Sequence, residues 1–259
     1  MRATATAGTR PPAKRYVLGV DGCRMGWVAL WQTLERSPKV GGAVYASLEA
    51  LWKAHGDAQR ILIDMPIGLP AETSRACDVE ARRILGRGLG SRVFPCPARV
   101  TVEQEPLDYV RACQINYTQT GRKLSKQSFF ILPKIAECDQ LLRTSAAARR
   151  TLVEAHPEVC FAGLHGGAGI RAGKKTPEGF SLRMRYLNPL LPGLKRLQRE
   201  LRGAYPKSKV EDDDILDAAV LAHVARVPQS WRVLPQGDVP RDARGLPMRI
   251  VGLDTKIAD

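Results

Sequence analysis

The sequence predicts an α/β fold: a mixed five-stranded sheet flanked by helices, with a helical and loop-rich insertion after the fourth strand. Three observations carry this expectation. Two short apolar segments, YVLGVD at 16–21 and RILID at 60–64, read as buried strands, and each ends in an aspartate. Between them, GWVALW at 26–31 follows the first segment after a tight turn at Gly22, so it reads as its antiparallel neighbour. Near the other end, DDDILDAAVLAHVA reads as a helix with a small apolar face (Ile215, Ala218, Ala219, Ala222), suited to lying close against a sheet.

The remaining elements follow in chain order. Residues 40–45 form a weaker third strand, and Ser47 is placed to cap a helix running to His55. Met65-Pro66 stops the strand at 60–64, because the residue before a proline avoids further regular pairing. The insertion spans about 71–150, with a helix at 73–85, glycines at 86, 88 and 90, and the proline-rich Phe94-Pro95-Cys96-Pro97. Residues 151–155 (TLVEA) are the fifth strand. After His156-Pro157 a loop is expected, then helix over 181–201, interrupted at Pro189 and Pro192. A last helix covers 210–227, and one or two weak strands follow Pro228. Three strands, a helix and a strand is the order that opens a ribonuclease H-like sheet.

Composition sets the class of partner. The chain has 259 residues, 44% hydrophobic and 25% charged, enough for one domain from residue 15 onward with a sizeable core. No run approaches the roughly 18 apolar residues of a membrane span. The 6 cysteines show no zinc spacing, and they read as reduced thiols in a cytoplasmic protein. Residues 1–14 contain no acid and read as a disordered basic tail. A formal net charge of +14 favours a polyanionic partner such as DNA or RNA. Basic residues crowd 171–209, directly before the acidic run Glu211-Asp212-Asp213-Asp214.

The candidate catalytic residues are Asp21, Asp64, Glu154, Asp214 and Asp217. Asp21 and Asp64 close apolar strands at their C-terminal ends, the edge where open α/β sheets gather ligands. A carboxylate there is expensive to keep charged unless a metal or hydrogen bonds satisfy it. Asp214 and Asp217 share a helical face. Capping accounts for Asp212 and Asp213, but it explains Asp217 poorly, because that residue is inside the helix. Glu154 lies mid-strand, where a solvent-facing acid is equally ordinary. Oxygen-only ligands at Asp21, Asp64, Asp214 and Asp217 favour one or two Mg²⁺ or Mn²⁺ ions, which suit phosphodiester hydrolysis.

VLGVDGCRMGW, LIDMPIGLP, R-x-C-D-x-E-A-R-R, SRVFPCPAR, EAHPEVCF, KKTPEG and DDDILDAAVLA together resemble the domain of unknown function 429 family, over roughly residues 16–227. That resemblance implies a ribonuclease H-like nuclease. The first and last motifs are also similar to those of RuvC-type Holliday junction resolvases. This similarity implies metal-ligand positions at Asp21, Asp64, Asp214 and Asp217, with Asp64 standing where the resolvases carry Glu. The shorter acid puts a full two-metal geometry in question.

Arg75, Arg82, Arg92, Arg99, Lys174 and Lys175 are the expected substrate-binding residues, although each alone is more often a solvated charge. Some motifs fail. GAGIRAGKKT lacks the glycine spacing of a phosphate loop, Gly86-x-Gly88-x-Gly90 follows a helix, and G-x-S-x-G is absent. The leading expectation is therefore a metal-dependent nuclease. A catalytically silent nucleic-acid- or nucleotide-binding protein of the same fold is the alternative. An actin-type ATPase or sugar-kinase relative is disfavoured, because Cys23 replaces the glycine that its first turn needs.

Overall fold

Strand β1 (Tyr16–Cys23) is buried on both faces, which is why its sequence shows a continuous apolar run in place of alternation. The structure, a computed structural model, describes residue 11 and residues 15–255, so the expected tail lies almost wholly outside the described residues. β1 turns through Arg24-Met25 into the antiparallel β2 (Gly26–Thr33), and Gly26 takes a φ of 125° that favours glycine. β3 (Val40–Tyr45) pairs antiparallel with β2. Helix α1 (Leu48–His55) begins as expected, with Ser47 Oγ accepting the Ala50 N–H at 3.1 Å. It returns the chain to β4 (Arg60–Ile63), parallel to β1.

The insertion is helical: α2 (Ala76–Leu85), α3 (Arg99–Glu103), α4 (Tyr109–Thr120), α5 (Lys126–Phe130), α6 (Leu132–Thr144) and α7 (Ala146–Thr151). β5 (Leu152–Glu154) then pairs parallel with β4, which completes a mixed sheet of order β3-β2-β1-β4-β5. Next come α8 (Pro157–Leu164), α9 (Pro177–Leu190), α10 (Leu194–Ala204) and α11 (Asp212–Arg226). β6 (Trp231–Leu234) and β7 (Ile250–Leu253) form a separate antiparallel pair, tied to the main sheet through a parallel bridge between Ala155 and Val251.

Two stretches differ from expectation. α8 stands where a loop was expected; PEVCFAGL is buried on nearly every side, so it carries no amphipathic period to betray a helix. The helical stretch expected at 181–201 is two helices. Pro189 is tolerated inside the end of α9, and the break falls at 191–193, where Gly193 takes a φ of 96°.

The sheet is covered on both sides. Val17, Val28, Leu30, Leu62 and Val153 pack with α9, α10 and α11. Leu18, Val20, Ile61, Ile63 and Leu152 pack with α1 and the insertion residues Ala112, Leu132, Ile135 and Leu142. Gly19 explains how close α11 comes: a Cβ there would meet Ala218 O at 2.1 Å and Ala222 N at 2.2 Å. Only glycine opposite small alanines allows that approach.

Candidate functional site

Period-two alternation decides which acids meet. Asp21 shares the face of Val17 and Gly19, and Asp64 shares the face of Leu62, so both are directed toward the α11 side of the sheet. The strand ends are adjacent, since the Asp64 N–H donates to Val20 O at 2.9 Å. α11, pressed against β1, brings Asp214 and Asp217 to the same place. Asp21, Asp64, Asp214 and Asp217 all line one cleft of about 690 Å³.

Electrostatics confirm that the four acids sense one another. Burial raises the Asp21 carboxyl well above the ordinary aspartate value, and the charges of Asp64, Asp217 and Asp214 raise it further. Burial also raises Asp64, pushes Asp214 up to about 7 and pushes Asp217 up to about 6. Hydrogen bonds satisfy only some of these oxygens. Asp21 Oδ1 accepts the Gly22 N–H at 2.7 Å, and Asp214 Oδ2 accepts the Glu211 N–H at 2.8 Å, an N-terminal cap for α11. Asp217 Oδ1 is buried and has no hydrogen-bond partner.

Lys174 supplies the local positive charge. Its Nζ donates to Asp217 Oδ2 at 2.6 Å and lies 3.2 Å from Asp213 Oδ2. Burial opposes the ammonium charge, but Asp217, Asp21 and Asp213 hold its pKa well above the usual lysine value. Among the described residues, no three His, Cys, Asp or Glu side chains stand together as a ready-made metal cage. The ammonium occupies the place between two carboxylates where a free cation would be held. The donor chemistry of the cleft floor is nevertheless carboxylate oxygen, with one of those oxygens unpartnered.

Other expected site residues are placed differently. Glu154 has the parity of Leu152, on the opposite face of the sheet from Asp21 and Asp64. Its Oε1 and Oε2 each accept from Arg75 at 2.7 Å, and Oε2 also accepts the Ile67 N–H. Arg75 is buried and donates as well to Asp78 and to Ile67 O, so no face of its guanidinium is left for substrate. These two residues brace β5 against α2, although both reach the cleft wall. Arg82 Nε donates to Val93 O, and Arg99 pairs with Asp139 and Asp242; neither lines the cleft. Lys175 does not line the cleft and pairs with Glu211 at its rim. Arg92 does line it, held by Glu158 and by Ile170 O.

The structure adds residues that sequence reasoning missed. Glu158, buried between Arg92 and Arg183, raises the pKa of Asp64 and Asp217 through its charge. Arg24 and Lys134 line the cleft, and Lys134 lies over the Trp27 ring at 4.5 Å. Arg24 was within reach of sequence reasoning, because the turn that follows Asp21 must sit beside it. Lys134 is distant in sequence, and no local signal marks it. His156 also lines the cleft: its Nε2 is 3.2 Å from Arg92 O, and its buried Nδ1 has no hydrogen-bond partner.

No helix among the described residues is long and apolar enough to cross a membrane. Comparison with curated proteins and with solved structures returns no match. The family model described as "Protein of unknown function (DUF429)" matches residues 19–238, most of the chain, and the chain therefore belongs to that family.

Proposed function

We propose that the protein is a metal-dependent phosphodiesterase acting on nucleic acid, on a ribonuclease H-like sheet. One observation carries the reading: Asp21, Asp64, Asp214 and Asp217 meet in a single cleft at the C-terminal ends of β1 and β4, largely buried, with their carboxyls raised although Lys174 pairs with Asp217. Like charges gathered this way stay ionised together only beside a cation. An all-oxygen donor set and the unpartnered Asp217 Oδ1 suit a hard divalent ion such as Mg²⁺ or Mn²⁺. When bound, such an ion polarises a phosphoryl oxygen and lowers the pKa of a water molecule.

The chain's own residues then have defined tasks. Asp21, Asp64 and Asp214 would hold the ion, and Asp217 orients Lys174, whose Nζ it accepts from. Lys174, on the cleft wall beside these acids, would bind a phosphate oxygen of the substrate. Arg24, half free at the mouth, draws in the strand, since its side chain is 70% exposed. A catalytically silent binding protein is the second reading, and the ammonium seated between Asp213 and Asp217 is what favours it. One experiment separates the two: single-stranded and duplex DNA and RNA incubated with Mn²⁺ and either wild type or Asp21→Asn. Cleavage by the wild type that drops by at least about 100-fold in the variant supports the nuclease. Equal traces in both preparations sink it.

A further inference from the structure

The wall of the carboxylate cleft carries an aromatic ring that belongs to none of the apolar clusters among the described residues. Segment 91–97 crosses between two apolar clusters. Val93 is buried in one with α2 and α8, and Cys96 packs against another beneath the insertion helices. Phe94, between these anchors, is half-buried, lines the cleft and belongs to none of the three apolar clusters found among the described residues. A phenylalanine normally contributes a large buried area to a core, so one left on a cavity wall is surface for a ligand.

The backbone that carries the ring is also held in place. Arg82 Nε donates to Val93 O at 3.1 Å, Ser128 Oγ donates to Pro95 O at 3.2 Å, and the His156 ring bonds Arg92 O at 3.2 Å. Pro95 and Pro97 stiffen the backbone on the C-terminal side. A fixed aromatic platform loses little entropy on binding, which is the requirement for a stacking surface.

What would stack there follows from the rest of the cleft. Arg24, Arg92, Lys134 and Lys174 put positive charge beside the acidic floor, so the ligand carries phosphate as well as a flat ring. Gln127, exposed on the same wall, offers both a donor and an acceptor to a ring edge. A cavity of about 690 Å³ falls within the range of small-ligand pockets, roughly 300–1,000 Å³. A single nucleotide fits such a space, and a base-paired helix does not.

We infer that Phe94 is a stacking platform for one unpaired nucleobase whose phosphate lies toward the carboxylates, so the cleft takes single-stranded or unpaired nucleotides and not intact duplex. The inference rests on the proposed function for its phosphate-binding floor, but its test involves no turnover. A single-stranded hexanucleotide with one 2-aminopurine, the same strand annealed to its complement, and 2-aminopurine riboside 5′-monophosphate are titrated into the protein. Binding is followed by fluorescence in Ca²⁺ and again in chelator.

The expected result is quenching by the wild type, and binding about 5- to 150-fold weaker with no quenching in Phe94→Ala, since base–aromatic stacking is worth roughly 1–3 kcal/mol. Phe94→Trp retains the quenching, whereas Phe94→Leu, apolar but not aromatic, loses it. The two unpaired probes tell a strand from a free nucleotide: tighter binding of the hexanucleotide identifies a strand, and equal binding identifies a mononucleotide, with stacking upheld in both. Phe94→Ala binding as tightly as wild type overturns the inference, as does duplex binding as tightly as the single strand. A protein that stacks the base yet cleaves nothing retains the platform and refutes only the nuclease.

Discussion

Lys174 is the residue on which the charge balance of the cleft turns. Its ammonium lies 2.6 Å from Asp217 and 3.2 Å from Asp213, the role that a bound cation would otherwise fill. Removing one partner of a buried pair typically costs 3–5 kcal/mol, because the other is left uncompensated. The Lys174 side chain is 38% exposed, so water screens part of that loss, and about 2 kcal/mol is the expected size for Lys174→Met. The variant, with its carboxylates vacated, should also gain more thermal stability from Mn²⁺ than the wild type does. Parallel thermal melts with and without Mn²⁺ check this. Identical Mn²⁺-induced shifts in the two proteins would show that the ammonium and the ion do not compete.

At the scale of elements, the site exists because α11 lies against β1 without an intervening layer of side chains. Gly19 faces Ala218 and Ala222, and this contact sets the height at which Asp214 and Asp217 stand over Asp21. Gly19→Ala places a methyl carbon within 2.2 Å of α11 backbone atoms, which backbone cannot accommodate without moving. Overpacking typically costs 1–3 kcal/mol, and contact with backbone in place of a flexible side chain puts the expected loss at about 3 kcal/mol or more. Urea denaturation gives the magnitude. A midpoint unchanged from wild type would mean that α11 does not rest on β1 as described. The Arg75–Glu154 pair is a second element-level device: it joins α2 to β5 across the sheet end and closes one side of the cleft.

For the molecule as a whole, the cleft makes stability depend on pH in an unusual direction. Carboxyl groups with ordinary values near 3.9 are raised by burial to about 7 at Asp214 and about 6 at Asp217. Across roughly pH 4 to 7 the folded chain therefore binds more protons than the unfolded chain, and stability falls as pH rises through that window. Glu158 and Asp242, whose carboxyls are lowered, act in the opposite sense only at more acidic pH, and the buried His223, lowered to about 4, opposes the trend below about pH 6.5, but Glu154, raised to about 7 by burial, adds to it. The metal-free protein is thus expected to melt at a lower temperature at pH 8 than at pH 5. A divalent ion should recover the difference at pH 8 and do little at pH 5. A melting temperature that holds level or climbs between these pH values, without metal, would contradict the account.

Local chemistry in the chain was enough to determine the five strands, the Ser47 cap, the small face of α11 and the positions of Asp21, Asp64, Asp214 and Asp217. Each of these depends on period, turn residues or neighbours a few positions away. Helix α8 escaped because burial on every side erases the period that reveals a helix. The tertiary structure alone decided that Glu154 points away from Asp21, that Arg75, Arg82 and Arg99 are committed to carboxylates or backbone within the protein, and that Lys174 sits among the acids. It alone brought Lys134 and Phe94 to the same cleft. The physical reason is that a charge or a ring acquires its role from what faces it in space, and deciding partners such as Glu154 for Arg75, Asp139 for Arg99 and Asp217 for Lys174 lie tens of residues away along the chain.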